Sequence, residues 1–137
     1  PSIMVQLNAT YPGLFPWNGN YAIAQHLDGS LISTDAPAKA GELIVVYLVG
    51  LGRTSPDTTS GRVVSNAATI VAISQLQVAV AGTPVAAKDI LYAGLAPGFV
   101  GLYQVNLRLP DDLPAGDLRM RILSEFADSQ FVVLSVK

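Results

Sequence analysis

The chain of 137 residues has the length of one domain, and half of its residues are hydrophobic while only 13% are charged. A chain this apolar can bury a sizeable core without covalent staples, which excludes intrinsic disorder. Its net charge of −2 comes from eight basic and ten acidic residues scattered along the sequence, which argues against a nucleic-acid-binding protein. The chain contains no cysteine, so disulfides, thiolate metal sites and cysteine nucleophiles are excluded.

The start of the chain and its apolar runs bear on its context. The sequence begins Pro-Ser-Ile rather than with methionine, and we expect one domain over residues 1–137 that belongs to a longer polypeptide. The longest apolar run covers residues 43–51, far short of the roughly 20 residues that a membrane-spanning helix needs. We therefore expect no membrane span.

The first half of the chain indicates short strands separated by turn residues. The predicted strands cover residues 3–7, 21–27, 31–33 and 42–49. A Pro/Gly-rich loop at 11–20 follows the first strand, and Asp28-Gly29, a pair that favours positive φ angles, joins the second and third as a hairpin. Residues 42–49 are apolar at nearly every position, which predicts a central strand buried on both faces.

The second half continues as a meander of strands. Residues 61–75 are predicted to be irregular, and the apolar run at 67–73 fits either a strand or one to two turns of helix. Further strands are predicted at residues 76–81, 85–92, 103–109, 118–122 and 129–136. In the strand 103–109 apolar and polar residues alternate, which predicts one buried and one solvated face. This spacing of short strands predicts an all-β, Ig-like antiparallel β-sandwich, with the Pro/Gly-rich segment and the hairpin packed on it.

The order of the turn motifs is the most specific feature of the chain. The motifs are Asp28-Gly-Ser30, Ala38-x-x-Gly41, Tyr47-x-x-Gly-Leu-Gly52, Tyr92-Ala-Gly-Leu-Ala-Pro-Gly98, Gly101-Leu-Tyr-Gln-Val-Asn106 and Leu113-Pro-Ala-Gly116. In this order they resemble the Solibacter-type C-terminal domain family, over roughly residues 12–136. The resemblance implies a β-rich module without assigned activity at the end of large exported acidobacterial proteins.

The turn at residues 80–85, Val-Ala-Gly-Thr-Pro-Val, is also similar to the Gly-x-Pro turn of the IPT/TIG domains, which are Ig-like sandwiches. Two departures from the family pattern concern local turns. Ala81-Gly82 stands where a Gly-Gly pair is usual, and residues 125–129 stand where a Gly-rich turn is common.

Two groups of residues are candidates for ligand binding. Tyr11, Phe15 and Trp17 lie close together among prolines and glycines, and could form an aromatic platform for a polysaccharide or cover the end of the core. Gln104 and Asn106 are predicted on the solvated face of their strand, where they would hydrogen-bond either a ligand or the neighbouring loop.

Features that would support catalysis or metal binding are sparse. His26 is the sole histidine, so a hydrolase would have to use it with a serine and an acid from elsewhere in the chain. Asp111, Asp112 and Asp117 form the densest carboxylate group, but their spacing matches no calcium loop, and aspartate is also common in turns. We therefore expect that the protein is not an enzyme and that it binds neither a metal ion nor a cofactor.

The sequence therefore predicts a non-catalytic structural or interaction module, and the resemblance implies that it belongs to an exported or cell-surface bacterial protein. Its expected partners are other domains of the parent protein or components of the cell envelope. Attachment by β-augmentation would use the strand 129–136 as an exposed edge. The alternative functions are carbohydrate binding through the Tyr11, Phe15 and Trp17 loop, and weak hydrolysis through His26.

Overall fold

The described part of the chain forms two β-sheets. The computed structural model describes residues 13–14, 16–17, 20–51, 54–55, 68–70, 73–99, 102–123, 129 and 131–137. Its strands in chain order are β1 (Gly13–Leu14), β2 (Pro16–Trp17), β3 (Tyr21–Ala22), β4 (Ala24–His26), β5 (Leu43–Val49), β6 (Thr54–Ser55), β7 (Ala68–Ile70), β8 (Gln77–Val80), β9 (Thr83–Pro84), β10 (Ile90–Leu95), β11 (Tyr103–Arg108), β12 (Gly116–Leu123) and β13 (Val132–Val136). Short 3₁₀ turns cover Ile73–Gln75 and Ala87–Asp89.

The first sheet has the strand order β1-β5-β11-β10-β7-β6, and β4 also pairs with β5. The second sheet has the order β2-β3-β13-β12-β8-β9. All the pairings between these strands are antiparallel except the one between β3 and β13, where Tyr21 lies opposite Val133. The predicted all-β sandwich is therefore confirmed.

The core lies between the two sheets. The strands β5, β8, β11 and β12 bury alternate residues, as the pleat of a β-strand requires. From the first sheet the core receives Ile44, Val46, Leu48, Val105 and Leu107, and from the second Val78, Val80, Met120, Ile122 and Leu134. The alternation predicted for 103–109 and 118–122 places these buried residues correctly, and Gln104 and Asn106 are on the outer face.

The prediction that 42–49 is buried on both faces is wrong. β5 is central in the first sheet, but only its inner residues Ile44, Val46 and Leu48 are fully buried. Its outer residues, including Val45 and Tyr47, are only half-buried. Because β5 is central, its backbone is hydrogen-bonded on both sides, but no other element of the described chain covers its outer face completely.

The N-terminal part of the described chain crosses between the sheets. The predicted strand 21–27 is two strands, because β3 belongs to the second sheet and β4 to the first. The predicted loop 11–20 contains two short strands, β1 and β2. At Gly13, opposite Val49, a Cβ would lie 3.1 Å from the Val49 side chain, so a glycine suits this close pairing. The predicted strand 3–7 lies outside the described residues.

Two other predicted strands are shorter than the pattern indicated. The hairpin at Asp28-Gly29 is confirmed, with Gly29 at φ 88°, but its second arm is only a single bridge between Leu31 and Gln25. The predicted strand 85–92 is wrong, since the chain passes from β9 to β10 through the 3₁₀ turn Ala87–Asp89. A passage from one sheet to the other needs a bend that a continuous strand does not provide. The strand alternative within 67–73 is confirmed by β7.

β13 is a central strand, and the prediction that 129–136 offers an exposed edge is wrong. One side of β13 pairs with β12 and the other with β3. Beyond β3, the Ala38 N–H donates to the Ser135 carbonyl at 2.9 Å, and the Lys137 N–H donates to the Ala38 carbonyl at 2.9 Å. Since these contacts occupy the backbone groups of β13 on the β3 side, β-augmentation has no free edge there.

Candidate binding site on the outer face of the first sheet

The outer face of the first sheet carries apolar and amide side chains along β5 and β11. In the register of β5 and β11, Tyr47 lies opposite Gln104 and Val45 lies opposite Asn106. All four residues are only partly buried, although they belong to the two strands at the middle of the sheet. The described part of this face therefore presents aromatic, aliphatic and amide groups to solvent.

A groove of about 400 Å³ opens at one end of this face. It is lined by Ile23, Gln25, Tyr47, Phe99 and Leu102. Phe99 lies in the turn between β10 and β11 and is 55% exposed, an unusual position for a phenylalanine side chain. The groove thus combines residues from the β3–β4 crossing, the centre of β5 and the β10–β11 hairpin.

Hydrogen bonds position the polar groups beside the groove. The Tyr47 hydroxyl donates to Gln25 Oε1 at 3.2 Å, which holds Gln25 against the neighbouring strand. Gln104 Nε2 donates to Asn106 Oδ1 at 3.0 Å, so these two amides contact each other. An amide pair of this kind retains one carbonyl oxygen and the remaining N–H groups for a further partner.

Of the aromatic candidates of the sequence, the structure describes only the backbone of Trp17. Trp17 belongs to β2, and its backbone pairs with Tyr21 at the β2 edge of the second sheet. Tyr11 and Phe15, together with the side chain of Trp17, lie outside the described part of the chain. The aromatic platform therefore stays a prediction.

His26 is held between two oxygen acceptors. Its ring Nδ1 contacts Glu42 Oε2, and its Nε2 lies 2.9 Å from the carbonyl oxygen of Ala36. A catalytic triad would need a serine hydroxyl at Nε2, and a backbone carbonyl stands there instead. This arrangement does not fit the hydrolase alternative, and it gives His26 a linking position between two segments.

The charge state of His26 follows from these neighbours. Partial burial, the largest single effect, lowers the pKa of the imidazole. The hydrogen bonds to Ala36 and Glu42, together with the negative charges of Glu42 and Asp28, outweigh it, so the pKa of His26 is raised above its ordinary value. In the same hairpin, hydrogen bonds from the hydroxyl and the backbone N–H of Ser30 lower the pKa of Asp28.

Three arginines of the described strands, Arg108, Arg119 and Arg121, do not form one patch. Arg108 belongs to the first sheet and the other two to the second. Arg119 and Arg121 both approach the ring of Phe131, at 5.5 and 5.1 Å from its centroid. Arg108 contacts Asp111 at 3.6 Å and donates through Nε to the Gly41 carbonyl at 3.2 Å.

Two further features concern metals and membranes. Within the described ranges, no three histidine or acidic side chains come together as ligands for a metal ion. Asp117 instead accepts a hydrogen bond from the Tyr21 hydroxyl at 2.7 Å. In the same part of the chain no helix has the length and hydropathy to span a bilayer.

The groove itself was not predicted from the sequence. Its signal is the pattern of 42–49, which is apolar at inner and outer positions alike. That pattern fits either a strand covered on both sides or a strand with an exposed apolar face. Only the positions of the other elements distinguish the two.

The fold and the groove define an all-β sandwich domain with a largely apolar groove on the outer face of one sheet. Compared with known proteins, the chain matches no family model. A search of curated proteins finds no match either.

Proposed function

We propose that this domain is a non-catalytic attachment module that binds a protein surface through the outer face of its first sheet. The observation that supports the proposal is the groove of Ile23, Gln25, Tyr47, Phe99 and Leu102, whose aromatic and aliphatic groups face solvent. Exposed apolar clusters with polar neighbours are typical of protein interaction sites. Aromatic side chains such as Phe99 and Tyr47 supply much of the binding free energy in such interfaces.

The resemblance to the Solibacter-type C-terminal domains gives this proposal its context. In that context the module is Ig-like and lies at the end of an exported or cell-surface bacterial protein. Its partners are other domains of the parent protein or proteins of the cell envelope. Packing of apolar side chains, with hydrogen bonds from the amides at the rim, provides the affinity.

A pair of exposed phenylalanines allows a matched test. Phe99 on the first sheet and Phe131 on the second are 55% and 46% exposed, so replacing either by serine removes a similar surface group. We would measure binding of the labelled domain to acidobacterial cell-envelope preparations and to the preceding domain of the parent protein. Phe99→Ser is expected to weaken binding at least about tenfold, as at an interface hot spot, and Phe131→Ser to leave it unchanged.

Phe99→Ser is expected to keep the thermal stability of the parent chain, since surface substitutions usually change it by less than about 0.5 kcal/mol. Phe131→Ser should cost about 0.5–1 kcal/mol, because the ring lies against Arg119 and Arg121, and binding is therefore measured well below the Tm of each variant. Absence of saturable binding to either preparation would contradict an attachment role. Equal losses from both variants would contradict the assignment to the first sheet.

Carbohydrate binding through Tyr11, Phe15 and Trp17 is the competing proposal. The chain has a single tryptophan, so a titration of its fluorescence with plant and bacterial polysaccharides, with and without Ca²⁺, tests this proposal directly. A saturable shift that is lost in Trp17→Ala, while the fold is retained, would favour the carbohydrate role. No shift with any polymer would leave protein attachment as the function.

A further inference from the structure

The imidazole of His26 faces an oxygen at each of its two nitrogens. Glu42 Oε2 contacts Nδ1, and the Ala36 carbonyl lies 2.9 Å from Nε2. A neutral imidazole has one N–H and can donate to only one of these acceptors, whereas an imidazolium donates to both. Both contacts are therefore hydrogen bonds only when the ring is protonated. In the neutral ring, the nitrogen that has lost its proton directs its lone pair at an oxygen, and that contact is repulsive.

The segments that His26 links have independent anchors. His26 lies in the hairpin of β4, where its N–H donates to the Ser30 carbonyl at 2.9 Å. Ala36 and Glu42 belong to the segment that precedes β5, and this segment is bound to β13 of the second sheet through Ala38. The Ala36 contact thus connects the edge of the first sheet to a segment held by the second, and the Glu42 contact joins β4 to the residue before its neighbour β5.

The acceptors of His26 are themselves fixed in place. The backbone N–H of Lys39 donates to Glu42 Oε1 at 3.1 Å, which orients the carboxylate towards the ring. The Ser33 N–H donates to the Ala36 carbonyl at 3.2 Å. The His26 and Glu42 side chains are only 19% and 23% exposed, so water screens their contact less than it would screen a surface pair.

We propose that His26 is a pH-operated lock on the hairpin formed by residues 24–32. At mildly acidic pH the imidazolium donates hydrogen bonds to both Ala36 and Glu42 and so keeps the hairpin closed. At higher pH the proton passes to solvent, one of the two hydrogen bonds is lost, and the hairpin opens more often. Gln25, the residue before His26, lines the groove, so the lock also controls one wall of that groove.

The charged groups near His26 determine which form of the ring is favoured. Glu42 from the start of β5 and Asp28 from the hairpin turn both favour the imidazolium. Asp35 and Lys39 lie in the segment between the hairpin and β5. The Arg108 and Asp111 pair contacts the chain at Gly41, the residue before Glu42. Because the chain has one histidine, a side-chain titration near neutral pH belongs to His26 alone.

Amide hydrogen exchange tests the lock without reference to any ligand, so its outcome is independent of the proposed attachment function. The Ile32 N–H donates to the Ala24 carbonyl at 2.9 Å across the hairpin, and its protection reports hairpin opening. The quantity to compare is the protection factor of the Ile32 amide, which is its intrinsic exchange rate at each pH divided by its observed rate. Between pH 6 and 8.5 this protection factor should fall about tenfold, because one charge-assisted hydrogen bond is lost. The decrease in Ile32 protection should follow the titration of the His26 ring protons, while the protection factors of central amides such as Val105 stay constant.

Three variants complete the test. His26→Gln should remove the pH dependence of Ile32 protection, and Glu42→Gln should move it to lower pH together with the ring titration. Asp111→Asn, which breaks the neighbouring exposed ion pair, should leave it unchanged. The lock is refuted if wild-type Ile32 protection does not change with pH, or if His26→Gln shows the same change.

Discussion

Ser129 and Ile122 exchange two hydrogen bonds at the end of the β12–β13 hairpin. The Ile122 N–H donates to the Ser129 hydroxyl oxygen at 2.8 Å, and the Ser129 N–H donates to the Ile122 carbonyl at 2.7 Å. Both residues are buried. The hydroxyl therefore takes the place of a backbone acceptor and extends the ladder beyond Val132.

Replacing Ser129 by alanine should destabilise the domain by about 1–3 kcal/mol, because it leaves the buried Ile122 N–H without this acceptor. Urea unfolding monitored by circular dichroism would measure the change. Ser33→Ala is the matched control, since the Ser33 hydroxyl accepts from the Ala36 N–H at the exposed surface. Equal costs for the two variants would contradict a special role for the buried hydroxyl.

The raised pKa of His26 makes the stability of the domain depend on pH. A group whose pKa is higher in the folded state stabilises the fold fully below its unfolded pKa, about 6.5 for histidine, and loses this contribution as pH rises through the folded pKa. The free energy of unfolding should therefore decrease from about pH 6.5 upward and then level off. Urea unfolding of the wild type and of His26→Gln, measured across this range, isolates the contribution of the ring. Parallel pH profiles for the two proteins would show that His26 contributes none of it.

The turn between β8 and β9 places an alanine in a left-handed backbone conformation, which is strained for this residue. Ala81 and Gly82 both have positive φ, 52° and 77°, as in the two-residue hairpin turns that favour Asn-Gly. Ala81→Asn should stabilise the domain by about 0.5–1 kcal/mol, since asparagine tolerates this conformation better than alanine. Thermal unfolding would record it as a rise in Tm.

Gly82→Ala is the opposite test of the same turn. A Cβ at Gly82 would meet no atom within 4 Å, so any loss of stability would come from backbone conformation alone. A loss of about 1 kcal/mol is expected. If Gly82→Ala cost nothing, the positive φ angles of this turn could not be the source of strain.

Gly41 supports a second test of backbone conformation, near an ion pair. Its φ is 77°, and a Cβ there would lie 2.6 Å from Asp111 Oδ1. The Asp111 side chain is 82% exposed and can move away, so Gly41→Ala should cost about 1 kcal/mol from the φ angle with little contribution from the clash. A double-mutant cycle with Asp111→Ala measures this, and a coupling well above about 0.5 kcal/mol would instead assign the cost to the clash.

The alternation of single strands could be predicted from the sequence. Side chains in a strand point to opposite faces with a period of two, so apolar residues at every second position of 103–109 and 118–122 determine which ones enter the core. Turn chemistry is equally local. Asp28-Gly29 marks a hairpin because few residues adopt positive φ, and it is a hairpin turn in the structure.

Assembly of the strands could not be predicted in the same way. β5 is apolar on both faces, and only the positions of its neighbours decide that its outer face meets solvent beside Phe99 and Leu102. β13 has the composition of an edge strand or a central one, and the distant residues Tyr21 and Ala38 make it central. Likewise, the sequence shows His26 as the sole histidine, but folding brings Ala36 and Glu42 to its two nitrogens. Alternation and turns depend on neighbours along the chain, so the sequence determines them. The groove, the covered edge and the histidine contacts depend on pairing between distant segments, which only the tertiary structure decides.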